Sequence, residues 1–170
     1  AADTAELFFD DMRVPAANLL GELNKGFIHM MQELAQERFL IAINAAARME
    51  AMLAETIRYT RERKVFGHTV FDFQNSKFKL AEIKTKATAM RIMVDYYLGE
   101  HLRRKITVQE AAMVKLFTTD TYCAALDEML QLHGGYGYMM EYPIGRAYVD
   151  GRVMRIYGGT SEVMKELISR

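Results

Sequence analysis

Residues 107–135 read TVQEAAMVKLFTTDTYCAALDEMLQLHGG, and the order of polar and apolar residues in this stretch is typical of one long helix. Thr107 is followed three positions later by Glu110, as in the capping box, where each side chain pairs with an otherwise unpaired backbone amide. Apolar residues then recur at helical spacing, and Gly134 and Gly135 permit the backbone that ends a helix. We predict a helix that ends at about His133.

Other segments share this helical spacing of apolar residues, and only short connections separate them. Gly99 marks the predicted end of the second helix, Pro143 suits the start of the fourth, and Thr160 or Ser161 would cap the fifth. The sequence therefore predicts an all-α protein, an up-down antiparallel helical bundle. The predicted helices span about 24–63, 72–98, 107–133, 143–153 and 161–169.

The beginning of the chain has a different pattern. Residues 6–14 read ELFFDDMRV, which predicts a short strand ended by Pro15. A single strand cannot pair its own edges, so we expect a remnant strand of a neighbouring sheet. The first residue is not methionine, which favours a segment of a longer protein. We predict that residues 1–22 are the remnant of a preceding β-domain and its linker, and that residues 23–170 are the helical bundle domain.

Composition narrows the class of protein. Half of the residues (51%) are hydrophobic and the formal net charge is zero, so nothing in the overall charge favours nucleic acid or an anionic membrane as a partner. No apolar run is long enough for a membrane span. Histidine, cysteine and carboxylates do not recur at metal-ligand spacing, so we expect no metal site. The single cysteine, Cys123, favours a reducing compartment.

Two local features could bind an anion. Gly158 and Gly159 lead into a predicted helix, whose first amides and dipole attract negative charge. Arg63 stands beside a predicted turn at residues 64–67 and could pair with a phosphate through two N–H groups. Taken alone, each feature is more often an ordinary helix cap or a solvated arginine than an anion site.

Three segments together are more specific than either feature. Residues 63–67 read RKVFG and are followed by Phe73 and Gln74; residues 131–138 read QLHGGYGY; residues 156–162 read IYGGTSE. In their order and spacing they resemble the C-terminal helical domain of the acyl-CoA dehydrogenase family, most closely its long-chain and isovaleryl-type branch. The resemblance covers nearly the whole chain.

The resemblance implies an activity and its partners. It implies flavin-dependent α,β-dehydrogenation of acyl-CoA thioesters to trans-2-enoyl-CoA in fatty acid β-oxidation, with FAD as cofactor and an electron-transfer flavoprotein as the next acceptor. It also implies a homotetramer built as a dimer of dimers, in a bacterial cytoplasm or a mitochondrial matrix. The 170-residue chain alone is expected to be inactive.

Cofactor-binding residues are implied in the same way. Arg63 would contact the FAD pyrophosphate, and the neighbouring positions would contact the same FAD across a dimer interface. A second set would face the FAD of its own subunit. The first set is Arg63, Phe66, Gln74, Gln131, Gly134 and Gly135, and the second is Thr160 and Glu162.

The catalytic base is the point on which this chain departs from many family members. They carry a glutamate in the late glycine turn, where this chain has Gly158. A smaller branch takes its base from the first long helix, just before an arginine, and here Glu37 precedes Arg38. The resemblance therefore implies Glu37 as the base, with Glu162 as the rival and Glu33 one turn earlier. The implied substrate-binding residues are Arg38, Tyr59, Gly158 and Gly159.

Two other functions stay open at this level. An acyl-CoA oxidase would use the same domain and pass electrons to oxygen. A non-catalytic helical assembly module would keep the fold without binding flavin.

Overall fold

The computed structural model describes residues 5–170, and the predicted all-α bundle is confirmed. Two strands of two residues each, β1 (Lys64–Val65) and β2 (His68–Thr69), pair antiparallel between the first two helices. The helices are α1 (Gly26–Glu62), α2 (Gln74–Leu102), α3 (Val108–His133), α4 (Pro143–Arg152) and α5 (Ser161–Ile168). Short 3-10 turns lie at Ala16–Asn18, Val70–Asp72, Gly134–Tyr138 and Val153–Arg155.

Contacts between the three long helices give their directions. Early in α1 the Phe39 ring faces His101, late in α2, at 5.5 Å, so α1 and α2 are antiparallel. At their last turns α1 and α3 meet, because the Tyr59 hydroxyl donates to the His133 carbonyl at 3.0 Å. The three helices therefore run up, down and up, as the short connections predict.

The core lies mainly between α1 and α3, which pack more closely than any other pair of helices. Small side chains on α1 allow this approach, since Ala42, Ala45 and Ala46 are almost fully buried. Larger side chains fill the space around them and join α2 and α4 to the same cluster: Phe39, Met49, Met90, Val94, Tyr122, Leu126, Met129 and Ile144.

The capping box of α3 is confirmed. The Glu110 amide donates to the Thr107 hydroxyl at 3.2 Å, and the Glu110 carboxylate accepts from the Thr107 amide at 2.8 Å. α3 ends at His133, where the sequence predicts, and its C-cap residue Gly134 has a φ of +60°, in the left-handed region.

The predicted end of α2 at Gly99 is wrong. The helix continues to Leu102, and Arg104 takes the left-handed conformation (φ +56°) that a glycine usually supplies. The amides of Arg103, Arg104 and Lys105 then pair with the last carbonyls of the helix. These bonds offset the cost of left-handed backbone at a residue with a side chain.

The predicted strand at residues 6–14 is not formed. Within the described part of this segment the chain is neither helical nor paired in a ladder, and Phe8 and Phe9 are exposed. A strand is stable only when a partner satisfies its amides and carbonyls, and the described residues pair no strand with this one. The predicted segment 1–22 begins with four residues that lie outside those described.

Candidate functional site

The glycine turn before α5 packs against both α1 and α3. Gly158 (φ +64°) and Gly159 (φ +103°) both adopt the left-handed region, which residues with a side chain rarely enter. Two basic side chains hold this turn through its carbonyls. The Arg38 Nε donates to the Gly158 carbonyl at 3.1 Å, and the Lys115 ammonium donates to the Gly159 carbonyl.

The Glu37 carboxylate lies beside this turn. A Cβ atom built on Gly158 would meet Ile41 Cδ1 at 2.7 Å and would lie 3.8 Å from Glu37 Oε1. Glu37 is itself exposed in this chain. Its carboxylate therefore lies at the edge of the position that a side chain at Gly158 would occupy, and it is accessible to solvent.

Two buried cations surround the turn from the interior. Arg38 is 7% exposed and Lys115 only 1% exposed. The pKa of Lys115 is lowered to about 8, mainly by burial and also by the Arg38 charge, while Asp120 and Glu37 act in the opposite direction. Burial likewise lowers the pKa of Arg38, against the effect of Glu37. The Glu37 carboxylate therefore stands at the edge of a locally positive region.

The turn also offers a free hydrogen-bond donor. Within residues 5–170, the amide of Gly158 donates to no other backbone group. A backbone amide in a glycine turn next to a carboxylate can donate a hydrogen bond to a substrate carbonyl oxygen.

Thr160 and Glu162 belong to the start of α5. The Thr160 hydroxyl accepts from the Val163 amide at 3.3 Å and caps the helix. Glu162 lies in the first turn and is exposed, and hydrogen bonds from its own amide and from the Thr160 side chain lower its pKa. A lowered pKa at a helix start is typical of a stabilising first-turn carboxylate.

A second cleft, of about 490 Å³, lies at the other end of α1. It brings together Arg63 and Gln131 with Gly134 and Gly135, four of the six residues predicted for the first FAD set. The Arg63 guanidinium stands over the Tyr136 ring at 5.1 Å. A Cβ atom on Gly134 or Gly135 would meet nothing within 4 Å, so the backbone borders open space there.

The other two residues of that set lie outside the lining of this cleft. Phe66 is at the tip of the β1–β2 hairpin and is 94% exposed, with φ +51° followed by Gly67 at +83°. Gln74 is the first residue of α2 and is exposed.

Tyr59 does not lie near Glu37. The two residues are about 33 Å apart along α1, at roughly 1.5 Å per residue. The Tyr59 ring stacks on the buried His133 ring at 4.2 Å and lines the second cleft. This position is inconsistent with the predicted role of Tyr59 in the acyl channel beside Glu37, and we assign Tyr59 to the wall of the second cleft.

A family model described as "Acyl-CoA dehydrogenase, C-terminal domain" matches residues 24–170. The chain belongs to the acyl-CoA dehydrogenase family. Among characterised relatives, the rat mitochondrial long-chain specific acyl-CoA dehydrogenase is 52% identical over 170 residues, which is 100% of this chain and 40% of that protein.

Solved structures of the family have the same fold. An acyl-CoA dehydrogenase from Geobacillus kaustophilus superposes with a TM-score of 0.90 at 45% identity, over 96% of this chain and 43% of its own. An acyl-CoA dehydrogenase from Bacillus anthracis, solved in complex with FAD, superposes with a TM-score of 0.87 at 27% identity, over 94% of this chain and 31% of its own. The chain thus spans less than half the length of these acyl-CoA dehydrogenases.

Residues that sequence reasoning missed are those whose partners are distant in the chain. Lys115 is 44 positions from the carbonyl that it binds, and His133 is 74 positions from Tyr59. For His133, its place beside two glycines of the second family segment was an available signal.

Residues 5–170 contain neither a candidate membrane span nor a candidate metal site. No helix there has both the length and the apolar character that a membrane crossing needs. No three histidine, cysteine or acidic side chains there cluster as metal ligands.

Proposed function

We propose that this chain is the C-terminal helical domain of an FAD-dependent acyl-CoA dehydrogenase, with Glu37 as the catalytic base. The observation that carries the proposal is the 3.8 Å between Glu37 Oε1 and the Cβ position of Gly158. In many family members the base is a glutamate at that turn position, so a carboxylate entering the same space from α1 can reach the same substrate carbon. The reaction is the conversion of an acyl-CoA thioester to a trans-2-enoyl-CoA.

Each group at the turn has a defined task in this proposal. Glu37 removes the α-proton of the thioester, and the Gly158 amide donates a hydrogen bond to the thioester carbonyl, where negative charge develops. Arg38 uses its Nε on the Gly158 carbonyl, and its other N–H groups remain candidates for the coenzyme A side. When bound, FAD supplies the acceptor for the β-hydrogen.

The second cleft fits a dinucleotide by its chemistry. Arg63 offers a guanidinium for a diphosphate, and two glycines let a ligand approach the backbone without meeting a side chain. We propose that Arg63, Gln131, Gly134 and Gly135 bind the FAD of a partner subunit in a dimer of dimers. Thr160 and Glu162 remain proposed contacts to the FAD of their own subunit, and Phe66 and Gln74 would contact cofactor from outside the cleft.

The proposed substrates are long or branched acyl-CoA esters. The rat relative is named as long-chain specific, and its name places it in mitochondria. An acyl-CoA dehydrogenase from Bacillus subtilis is 38% identical, so the proposal is compatible with a mitochondrial matrix and with a bacterial cytoplasm.

The proposed electron acceptor is an electron-transfer flavoprotein. The alternative within the family is an oxidase, and a solved prolyl acyl carrier protein oxidase superposes with a TM-score of 0.81 at 29% identity. Reoxidation of the substrate-reduced enzyme in air distinguishes the two: a dehydrogenase stays reduced for far longer than one turnover, whereas an oxidase does not.

The test is Glu37→Gln in the full-length enzyme, assayed with one long-chain and one short-chain acyl-CoA. We expect kcat to fall at least about 100-fold with both substrates, because amide nitrogen cannot take the proton. Flavin content should stay unchanged, since Glu37 is not among the proposed FAD contacts. Glu33→Gln is the matched control, and Glu162→Gln tests the rival base. A near-normal Glu37→Gln enzyme together with an inactive Glu162→Gln enzyme would falsify the assignment.

A further inference from the structure

Lys115 is a buried lysine whose partner is a backbone carbonyl. Lysine is rarely buried unless a carboxylate pairs with it, yet the ammonium of Lys115 donates to the carbonyl of Gly159 and its side chain is 1% exposed. The carboxylate of Asp120, five residues later on α3, is occupied by Arg155 at 2.6 Å and by Ser161 at 3.1 Å. Lys115 therefore has the glycine turn as its directed contact.

The turn needs such contacts to keep one shape. Gly158 and Gly159 have no side chains to restrict φ and ψ, so two consecutive glycines sample many backbone states unless other groups hold them. Arg38 holds the first carbonyl and Lys115 the second. Because each peptide unit is planar and trans, holding a carbonyl also fixes the direction of the amide that follows it. The peptide planes 158–159 and 159–160 are thereby fixed, and with them the amides of Gly159 and Thr160.

The lysine also lies close to the reacting groups without entering their space. A Cβ atom on Gly158 would lie 3.8 Å from the Cε of Lys115 and 3.8 Å from the Glu37 carboxylate oxygen. Lys115 thus faces the turn from α3, while Glu37 faces it from α1.

We propose that Lys115 is a positioning residue: by holding the Gly159 carbonyl, alongside Arg38 on the Gly158 carbonyl, it keeps the glycine turn in one shape beside the Glu37 carboxylate. The inference rests on the proposed dehydrogenase function. Lys115 contacts neither proton nor thioester; it acts through the turn.

The surroundings of Lys115 argue against a merely structural lysine. A methionine would fill the same volume without the cost of removing an ammonium from water. Here that cost is increased by Arg38, a second buried cation whose charge disfavours the ammonium. An arrangement that costs folding free energy beside a candidate site is typical of a functional group.

The test is Lys115→Met in the full-length flavoenzyme, with two readouts. We expect kcat to fall about 10-fold or more, while KM for a long-chain acyl-CoA changes less than about threefold, because misalignment affects the transition state more than binding. Hydrogen exchange, read by mass spectrometry on a peptide covering residues 157–162, should accelerate. Lys79→Met is the matched control, since Lys79 pairs with Glu128 between α2 and α3 and touches no part of the turn.

Lys115→Gln separates the hydrogen bond from the charge and also carries the test if the methionine variant does not fold. Its amide can still donate to the Gly159 carbonyl, so exchange in 157–162 should be slower than in Lys115→Met and kcat should be higher. Unchanged kcat and unchanged exchange in either folded variant would overturn the proposal. If the wild-type enzyme does not oxidise acyl-CoA, the dehydrogenase function fails, and the exchange readout still decides whether Lys115 holds the turn.

Discussion

At the scale of single residues, the ionisation of Lys115 links stability and activity. Burial lowers its pKa from the ordinary 10.5 to about 8, so between these values the unfolded chain binds more protons than the folded chain. Stability contributed by this group therefore rises as pH increases from about 8 to about 10.5. The charged groups that set its state are Arg38 and Glu37 on α1 and Asp120 on α3.

Activity should follow the opposite trend over the same pH range. Loss of the Lys115 proton weakens the charge-assisted bond to Gly159, so kcat should fall as pH rises through about 8. In Lys115→Met both trends should disappear. The fall of kcat above about pH 8 should be lost, and so should the rise in unfolding free energy between about pH 8 and pH 10.5. Denaturant titrations and kcat measured from pH 7 to pH 10 in parallel check this. A wild-type and variant pair with identical pH profiles would contradict it.

The residues of this site differ in how far the sequence predicts them. The sequence predicts the roles of Gly158 and Glu37 together. Because the late glycine turn has no glutamate at Gly158, the resemblance implies a base from the first long helix, at Glu37. Lys115 gives no such signal, since a lysine on an amphipathic helix is ordinarily a solvated one. Only the packing of the turn against α3 shows that this ammonium is buried.

At the scale of elements, the turn before α5 packs closely against a methyl group of Ile41 on α1. A Cβ atom on Gly158 would lie 2.7 Å from Ile41 Cδ1, and its φ of +64° disfavours any side chain. We expect Gly158→Ala to lower the free energy of unfolding by about 1–2 kcal/mol from the backbone alone, with a further loss from the contact. Chemical denaturation of the full-length protein measures both.

Two companion variants separate these contributions. Ile41→Val removes the Cδ1 atom, so the added cost of Gly158→Ala should be smaller in that background while the backbone cost remains. Gly135→Ala is the control, because a Cβ atom there meets nothing within 4 Å and its φ is not positive. An equal loss of stability in Gly135→Ala and Gly158→Ala would show that neither the conformation nor the contact matters.

The elements also show where local sequence signals succeed and fail. The capping box at Thr107 predicts the start of α3 correctly because both of its bonds are made within four residues. Gly99 fails as a stop signal because the end of α2 depends on Arg104, which adopts the left-handed region without being a glycine. The segment 6–14 fails as a strand because pairing needs a second strand, which a local pattern cannot supply.

At the scale of the whole molecule, the two candidate sites lie at opposite ends of the bundle. Glu37 and Tyr59 are about 33 Å apart along α1, and Lys115 and His133 are about 27 Å apart along the parallel helix α3. The Gly158 turn and the Arg63 cleft in one chain are thus both formed by the same two helices, at different ends. This separation favours the proposal that each chain contributes to two active sites in a dimer.

That proposal predicts complementation between two inactive variants. In a hybrid dimer of Glu37→Gln and Arg63→Gln chains, one site combines the intact Glu37 of one chain with the intact Arg63 of the other, and the second site carries both changes. A 1:1 mixture reassembled at random should therefore recover about a quarter of wild-type activity, since half of the dimers are hybrids with one intact site each. Activity after joint denaturation and refolding with FAD measures this, and each variant refolded alone is the control. Differently tagged chains show whether hybrid dimers have formed. If hybrids form but no activity is recovered, Arg63 and Glu37 of one chain belong to the same site, which contradicts the proposal that two chains share each site.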